Sequence, residues 1–227
     1  GHETLPMEMV QETALNGLRN GFQVCSHAIG DRANKEILDR YEAAFVELPN
    51  LITNHRFRIE HAQHLHPDDI PRFAELGVIP AMQAVHLSSD RPWAIDRLGE
   101  KRIKGGAYMW QDLLKSGIPI VNGTDVPVEP LNPIASLYAS ISRKTLKGTP
   151  EGGYEPEQKM TREQALKSYT LDAAYGAFEE NIKGSITAGK LADFTVYNQD
   201  IMTIPENQFL KTEIAMTIFN GDIVYKR

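Results

Sequence analysis

One junction recurs three times in this chain: a helical segment, a glycine, then an apolar strand. It reads Leu18-Arg19-Asn20-Gly21-Phe22-Gln23-Val24, then Glu75-Leu76-Gly77-Val78-Ile79-Pro80, then Lys115-Ser116-Gly117-Ile118-Pro119-Ile120-Val121. Glycine at that place supplies the positive φ that ends a helix before the chain turns back. Strands alternating with helices in this manner imply right-handed βαβ units on a parallel sheet.

Periodicity fills in the units. A helix is predicted over Glu8 to Asn20, with Val10, Ala14, Leu15 and Leu18 on one face, followed by a strand from Phe22 to His27. Asp31 is placed to cap the next helix, along which Ile37, Leu38, Tyr41, Ala44 and Phe45 recur at three- and four-residue steps. A second strand runs from Phe57 to His61, and a helix from Pro67-Asp68-Asp69 to Gly77. A third strand, Val78 to Val85, ends at His86, and residues Arg91 to Gly106 read as a long loop with a short helix. A helix through Trp110, Leu113 and Leu114 leads to a fourth strand, Ile118 to Asn122, which ends in Gly123-Thr124-Asp125. Four such units occupy the chain to about residue 145, and a (β/α)8 barrel takes eight strands in roughly 250 residues. The expectation is half of a TIM barrel.

Further on, Gly148 to Gln158 reads as a surface loop. Thr161 with Gln164 makes a capping box at the start of a helix, and a further helical stretch covers Leu171 to Phe178. After Asn181 the pattern changes to short strands: Asp193 to Tyr197, Glu213 to Phe219 and Ile223 to Tyr225, the last two joined by Asn220-Gly221-Asp222, a hairpin signal. The expected organisation is therefore α/β, with a barrel half over residues 1–181 and a partial β-sandwich over 182–227.

Composition narrows the function. A net charge of -6, with no basic cluster, argues against nucleic acid as a partner. One cysteine, Cys25, among 227 residues excludes an internal disulfide framework and a cysteine-rich zinc site, and fits a reducing, cytoplasmic compartment. No stretch approaches the ~20 apolar residues of a membrane span.

The chemistry sits at the strand ends. His27, His61, His86 and Asp125 close four successive strands, and parallel strands present their C-terminal residues on one face. Imidazoles plus a carboxylate are the ligand set of a catalytic zinc site with room for water. Such a metal lowers the pKa of bound water to about 7, and Asp125 is suited to receive its proton.

These residues also carry a family pattern. His27-Ala28-Ile29-Gly30-Asp31, Arg58-Ile59-Glu60-His61-Ala62-Gln63, Met82-Gln83 followed by His86, and Gly123-Thr124-Asp125-Val126-Pro127-Val128-Glu129 resemble the YtcJ-like branch of the amidohydrolase superfamily, amidohydrolase family 3. Gly184-Ser185-Ile186 and Gly189-Lys190-Leu191-Ala192-Asp193-Phe194 resemble the segment where such enzymes enter their C-terminal β-sandwich. The resemblance implies a metal-dependent hydrolase of non-peptide C–N bonds in a small amide-type substrate, using Zn2+ or another divalent metal, one or two ions in the complete enzyme. By the resemblance His27 and His61 are metal ligands, Asp125 is both ligand and general base, and His86 is a substrate or transition-state contact.

Gln63 and Arg91 are candidate substrate contacts, and Asp31 is a candidate for orienting a ligand histidine. His64 and His66 read as solvated loop residues. The first-strand His-x-His pair of the family and its bridging lysine have no counterpart in the sequence, so the chain looks like the C-terminal part of a longer enzyme, weakly active or inactive alone. The alternative is a non-catalytic fragment that assembles with itself or a missing half through open sheet edges, a homo-oligomer.

Overall fold

The computed structural model describes residues 2–227, which divide into two units. The first takes residues up to Met82 together with Arg91–Val121; the second takes Gln83–Asp90 and Asn122–Arg227.

In the first unit, helix α1 (Met7–Asn20) buries Val10, Ala14, Gly17 and Leu18. It stops because Gly21 adopts a left-handed conformation and returns its N–H to the carbonyls of Gly17 and Leu18. Strand β1 (Cys25–Ala28) follows, then helix α2 (Asp31–Glu47), which packs on α1 and buries Ile37, Leu38, Tyr41, Ala44 and Phe45. Strand β2 (Arg58–His61), a 3-10 turn at Pro67–Asp69 and helix α3 (Ile70–Leu76) come next, and α3 is closed by left-handed Gly77. Strand β3 (Ile79–Met82) is buried along its whole length. Helices α4 (Val85–Leu98), whose residues 85–90 count with the second unit, α5 (Glu100–Gly106) and α6 (Trp110–Ser116) precede strand β4 (Val121–Asn122), whose Asn122 also counts with the second unit, and left-handed Gly117 closes α6. The sheet order is β1-β2-β3-β4, and the β1/β2 and β2/β3 pairs are parallel. All three glycine junctions thus do what the sequence pattern requires of them.

The second unit contains helix α7 (Ile134–Ser142), helix α8 (Arg162–Tyr169) and helix α9 (Leu171–Gly176). Thr161 and Gln164 form the expected reciprocal capping box on α8. An antiparallel sheet β5-β6-β7 (Phe194–Tyr197, Ile214–Phe219, Asp222–Lys226) ends the chain. Asn220 and Gly221 both have positive φ, 50° and 87°, the conformation that a two-residue hairpin turn requires. No helix among the described residues is long and apolar enough to cross a membrane.

Four expectations need correction. Strand β3 stops at Met82, so His86 lies in the first turn of α4 and not at a strand end. Residues 91–98 and 100–106 are helical where a long loop with a short helix is expected, because Leu87, Arg91 and Ala94 recur on one buried face; a charged residue in that stripe hides the period. Asp31 is the first residue of α2 and not its cap. That position belongs to Gly30, whose extended backbone offers its carbonyl to the Asn34 N–H at 2.9 Å. His64 is buried and bridges to Ala107, whereas His66 is exposed as expected.

Candidate active site

Strands β1 and β2 present two unlike faces. Ser26, Ala28 and Ile59 face α2, where the buried Tyr41 hydroxyl donates to Ser26 Oγ at 2.7 Å and lies 3.3 Å from the Arg58 carbonyl. Burial pushes the Tyr41 phenol far up, so it stays a neutral donor. The other face carries Cys25 and His27 beside Arg58 and Glu60, by the register Cys25↔Arg58 and His27↔Glu60. His27 is exposed there, and Arg58 Nε donates to Glu60 Oε1 at 2.9 Å. Burial raises the Cys25 thiol, Arg58 opposes this and Glu60 adds to it, so the thiol stays protonated at neutral pH.

His61 departs from this alternation. It pairs with Ala28, which by the pleat assigns it to the α2 side, away from His27. Yet His61 has φ 76°, and its ring meets the His27 ring edge to face with centroids 4.5 Å apart. A left-handed non-glycine residue costs on the order of 1–3 kcal/mol and persists only where its surroundings over-determine it. Here they do. Ala62, also left-handed at φ 44°, donates to the Ala28 carbonyl at 3.1 Å, and His64 donates to that of Ile29 at 2.9 Å. Leu65 donates to the Gly106 carbonyl at 2.8 Å, and Tyr108 to that of Gln63 at 2.9 Å.

Gln63 itself is buried and its amide donates to Tyr108 Oη at 2.6 Å. Asp31 sits beside this wall, taking a bidentate pair from Arg102 at 2.8 Å. Burial works to raise its carboxyl, but the Arg32 N–H and the Arg102 guanidinium prevail and hold it below the usual carboxylate range. Arg91 is buried in α4.

His86 and Asp125 belong to the second unit. His86 is buried in the first turn of α4, and Asp125 is exposed in the turn after β4, with φ 57°. Behind that turn Asn122 donates to Ser168 Oγ at 3.0 Å. The structure therefore brings His27 and His61 together. Among the described residues it gathers no group of three or more His, Cys, Asp or Glu side chains that would hold a metal ion. Two imidazoles edge to face at 4.5 Å are residues of the type that supplies part of a catalytic metal set.

Asn34 escaped the sequence reading. It is fully buried on α2, and its amide donates to the carbonyls of Ala28, Gly30 and His64 at 3.1, 2.9 and 3.3 Å. Its signal was a polar residue in a core-facing stripe, one turn before Ile37 and Leu38.

An α/β chain with paired histidines at the exits of adjacent parallel strands defines a class of protein, and relatives give the class a name. A profile of the amidohydrolase family matches residues 3–225. The chain is 34% identical over 207 residues to the putative amidohydrolase YtcJ of Bacillus subtilis (strain 168), covering 91% of this chain and 38% of that protein. It is 36% identical over 196 residues to protein LONG AFTER FAR-RED 3 of Arabidopsis thaliana, covering 86% and 33%. Among solved structures, an uncharacterized metal-dependent hydrolase from Pyrococcus horikoshii OT3 superposes with a TM-score of 0.77 at 29% identity, over 91% of this chain and 40% of that one. The chain belongs to the amidohydrolase family, in its family 3, YtcJ-like branch. It spans between 33% and 39% of the length of the curated relatives it matches.

Proposed function

We propose that this chain carries part of the active site of a metal-dependent hydrolase that cleaves a non-peptide C–N bond of a small amide-type substrate. The observation that carries the reading is the His27–His61 ring pair, assembled across two parallel strands by a left-handed His61. Support for the chemistry comes from relatives: one, 25% identical over 219 residues, is an N-substituted formamide deformylase of Arthrobacter pascens.

In this reading His27 and His61 would hold a divalent ion, zinc or another, and Asp125 would be a further ligand by the family resemblance. Such an ion would supply an activated water near neutral pH. Asp125, exposed in the turn after β4, would take the proton of the attacking water on its carboxylate and pass it to the leaving nitrogen. His86 is the proposed substrate or transition-state contact. Asp31 holds the wall behind His61 through Arg102. Gln63, buried in that wall, and Arg91, buried in α4, are the proposed substrate contacts. The chain is read as the C-terminal portion of the enzyme, a barrel half over 1–181 and a partial sandwich over 182–227, because relatives are about 2.5 times its length and the remaining ligands have no counterpart here.

The test is elemental analysis after zinc loading, on the chain and on the double variant His27→Ala/His61→Ala. Near-stoichiometric zinc that disappears in the double variant supports the reading. Equal, negligible zinc in both rejects a preorganised half-site in this chain.

A second reading, assembly through sheet edges, rests on β7. Every residue of β7 is exposed at an edge of its sheet, and Phe219, Ile223 and Val224 are 58–64% exposed. A mass by light scattering that stays monomeric from micromolar to near-millimolar concentration removes it.

A further inference from the structure

Two histidines on separate strands stay 4.5 Å apart only if something fixes the strand exits against each other. The ladder holds them only at its last positions, where His27 faces Glu60 and His61 faces Ala28. Beyond it one exit leads through Ile29-Gly30 into helix α2 and the other through Ala62-Gln63-His64, and two backbone bonds tie them, Ala62 N–H to the Ala28 carbonyl at 3.1 Å and His64 N–H to the Ile29 carbonyl at 2.9 Å.

Asn34 adds the side-chain tie across the same exits. From the first turn of α2 its single Nδ2 reaches the Ala28 carbonyl, one residue after His27, and the His64 carbonyl, three residues after His61. It also bonds the Gly30 carbonyl of its own turn. Three carbonyl oxygens around one amide nitrogen fix its orientation, because the flipped amide would set oxygen against oxygen. The side chain is fully buried and its Oδ1 is buried without a hydrogen-bond partner among the described residues. An amide kept in an apolar stripe, with one end left unsatisfied, is costly for a helix that needs only packing. Its use is the cross-brace.

We infer that Asn34 is a positioning residue that fixes the distance between the His27 and His61 rings. The importance of that distance rests on the metal reading above, but the distance itself exists without metal and is tested without it.

The experiment is solution NMR on the metal-free chain with labelled histidines, reading the ring-to-ring cross-relaxation between His27 and His61. His55 serves as internal control. It lies before β2, held by the Leu76 carbonyl at 3.0 Å and the Phe57 N–H at 2.9 Å, with no bond to Asn34. Two variants are compared. Asn34→Ala removes every bond of the brace. Asn34→Ser keeps a hydroxyl that bonds the i−4 carbonyl of Gly30 but is too short to reach His64, so it preserves the helix turn and removes only the bridge.

The His27–His61 cross-peak is expected in the wild-type chain and clearly weakened in both variants, with the His55 signals unmoved. A cross-peak retained at wild-type strength in a folded Asn34→Ser chain overturns the inference. So does a loss that is matched at His55, since that marks general loosening. Zinc titration of the same proteins separates the two ideas. If the wild-type chain binds zinc, Asn34→Ser weakens it about tenfold, as loss of a supporting partner does. If wild type binds none yet the cross-peak behaves as stated, the metal reading fails and the positioning role stands.

Discussion

Two turns of this molecule use the same backbone device under opposite conditions. After β2 the chain leaves through left-handed His61, and after β4 it leaves through left-handed Asp125, with φ of 76° and 57°. Around His61, residues 62–65 are buried and their backbone is tied to β1, α5 and Tyr108. Around Asp125, residues 125–128 are exposed, Val128 by 68%, and a single 2.8 Å bond from the Val128 N–H to the Asp125 carbonyl closes the turn. A strained residue inside a tied, buried wall is preorganised; the same residue on an open turn takes its geometry from whatever comes to cover it. The imidazole pair is accordingly the fixed element of the proposed site, and the carboxylate the adjustable one.

The sharpest way to break this contrast is to add one methyl group beside each turn. A Cβ on Gly106 would stand 2.1 Å from the Leu65 carbonyl oxygen, a backbone atom that cannot move without undoing the Leu65–Gly106 bond. Gly106→Ala should cost about 3 kcal/mol, an overpacking term plus a lost hydrogen bond. At Gly123, before Asp125, nothing lies within 4 Å of the added Cβ, and Gly123→Ala should stay within about 0.5 kcal/mol of wild type. Urea midpoints measured side by side check both. Equal losses would mean that the turn after β2 is no more constrained than the other.

A gentler probe removes one atom. Tyr108→Phe deletes the hydroxyl that accepts from Gln63 Nε2 at 2.6 Å and leaves a buried amide short of a partner. The expected loss is about 1–2 kcal/mol. Val128→Ala, on the exposed turn, should cost less than about 0.5 kcal/mol. Calorimetric melting of the two variants orders them, and a Tyr108→Phe chain as stable as wild type would show that the wall relaxes around its tie.

The same contrast governs what could be read from the residues alone. Glycines 21, 77 and 117, the Thr161–Gln164 box and the Asn220-Gly221 turn each have one local cause, and each behaves in the structure as its chemistry dictates. Helices α4 and α5 were not legible, because Arg91 occupies a buried position in their stripe, Pro92 lies inside α4, and left-handed Gly99 separates the two. The apolar run from Val78 to Val85 outlasts the strand it encodes, so sequence alone places His86 at a strand end that does not exist; the backbone turns at Gln83, whose carbonyl takes the His86 N–H at 3.0 Å. His27 and His61 were legible as strand-end histidines, but the turn of His61 toward His27 was not. It depends on Asn34, Gly106 and Tyr108, partners 27 to 47 positions away from His61 in sequence whose pairing only the folded backbone defines.

The smallest expected effect belongs to the outermost support of the His61 wall. Asp31 and Arg102 are paired at 2.8 Å with side chains 28% and 53% exposed, so solvent screens them and Arg102→Gln should cost about 0.5 kcal/mol or less near neutral pH. The pair still leaves a signature in pH. Although burial alone would raise the Asp31 carboxyl, the Arg32 N–H and Arg102 hold it below its ordinary value. The unfolded chain therefore takes up that proton first. The stabilisation is complete above the unfolded aspartate value near 3.9 and drains as pH falls through the lower folded one. In Arg102→Gln part of this contribution is missing at pH 6, so the urea midpoint starts lower and falls less steeply with acid. If Arg102→Gln and wild type run parallel from pH 6 to pH 2.5, the ion pair is a surface contact that braces nothing, and the wall behind His61 is held by its backbone ties and Asn34 alone.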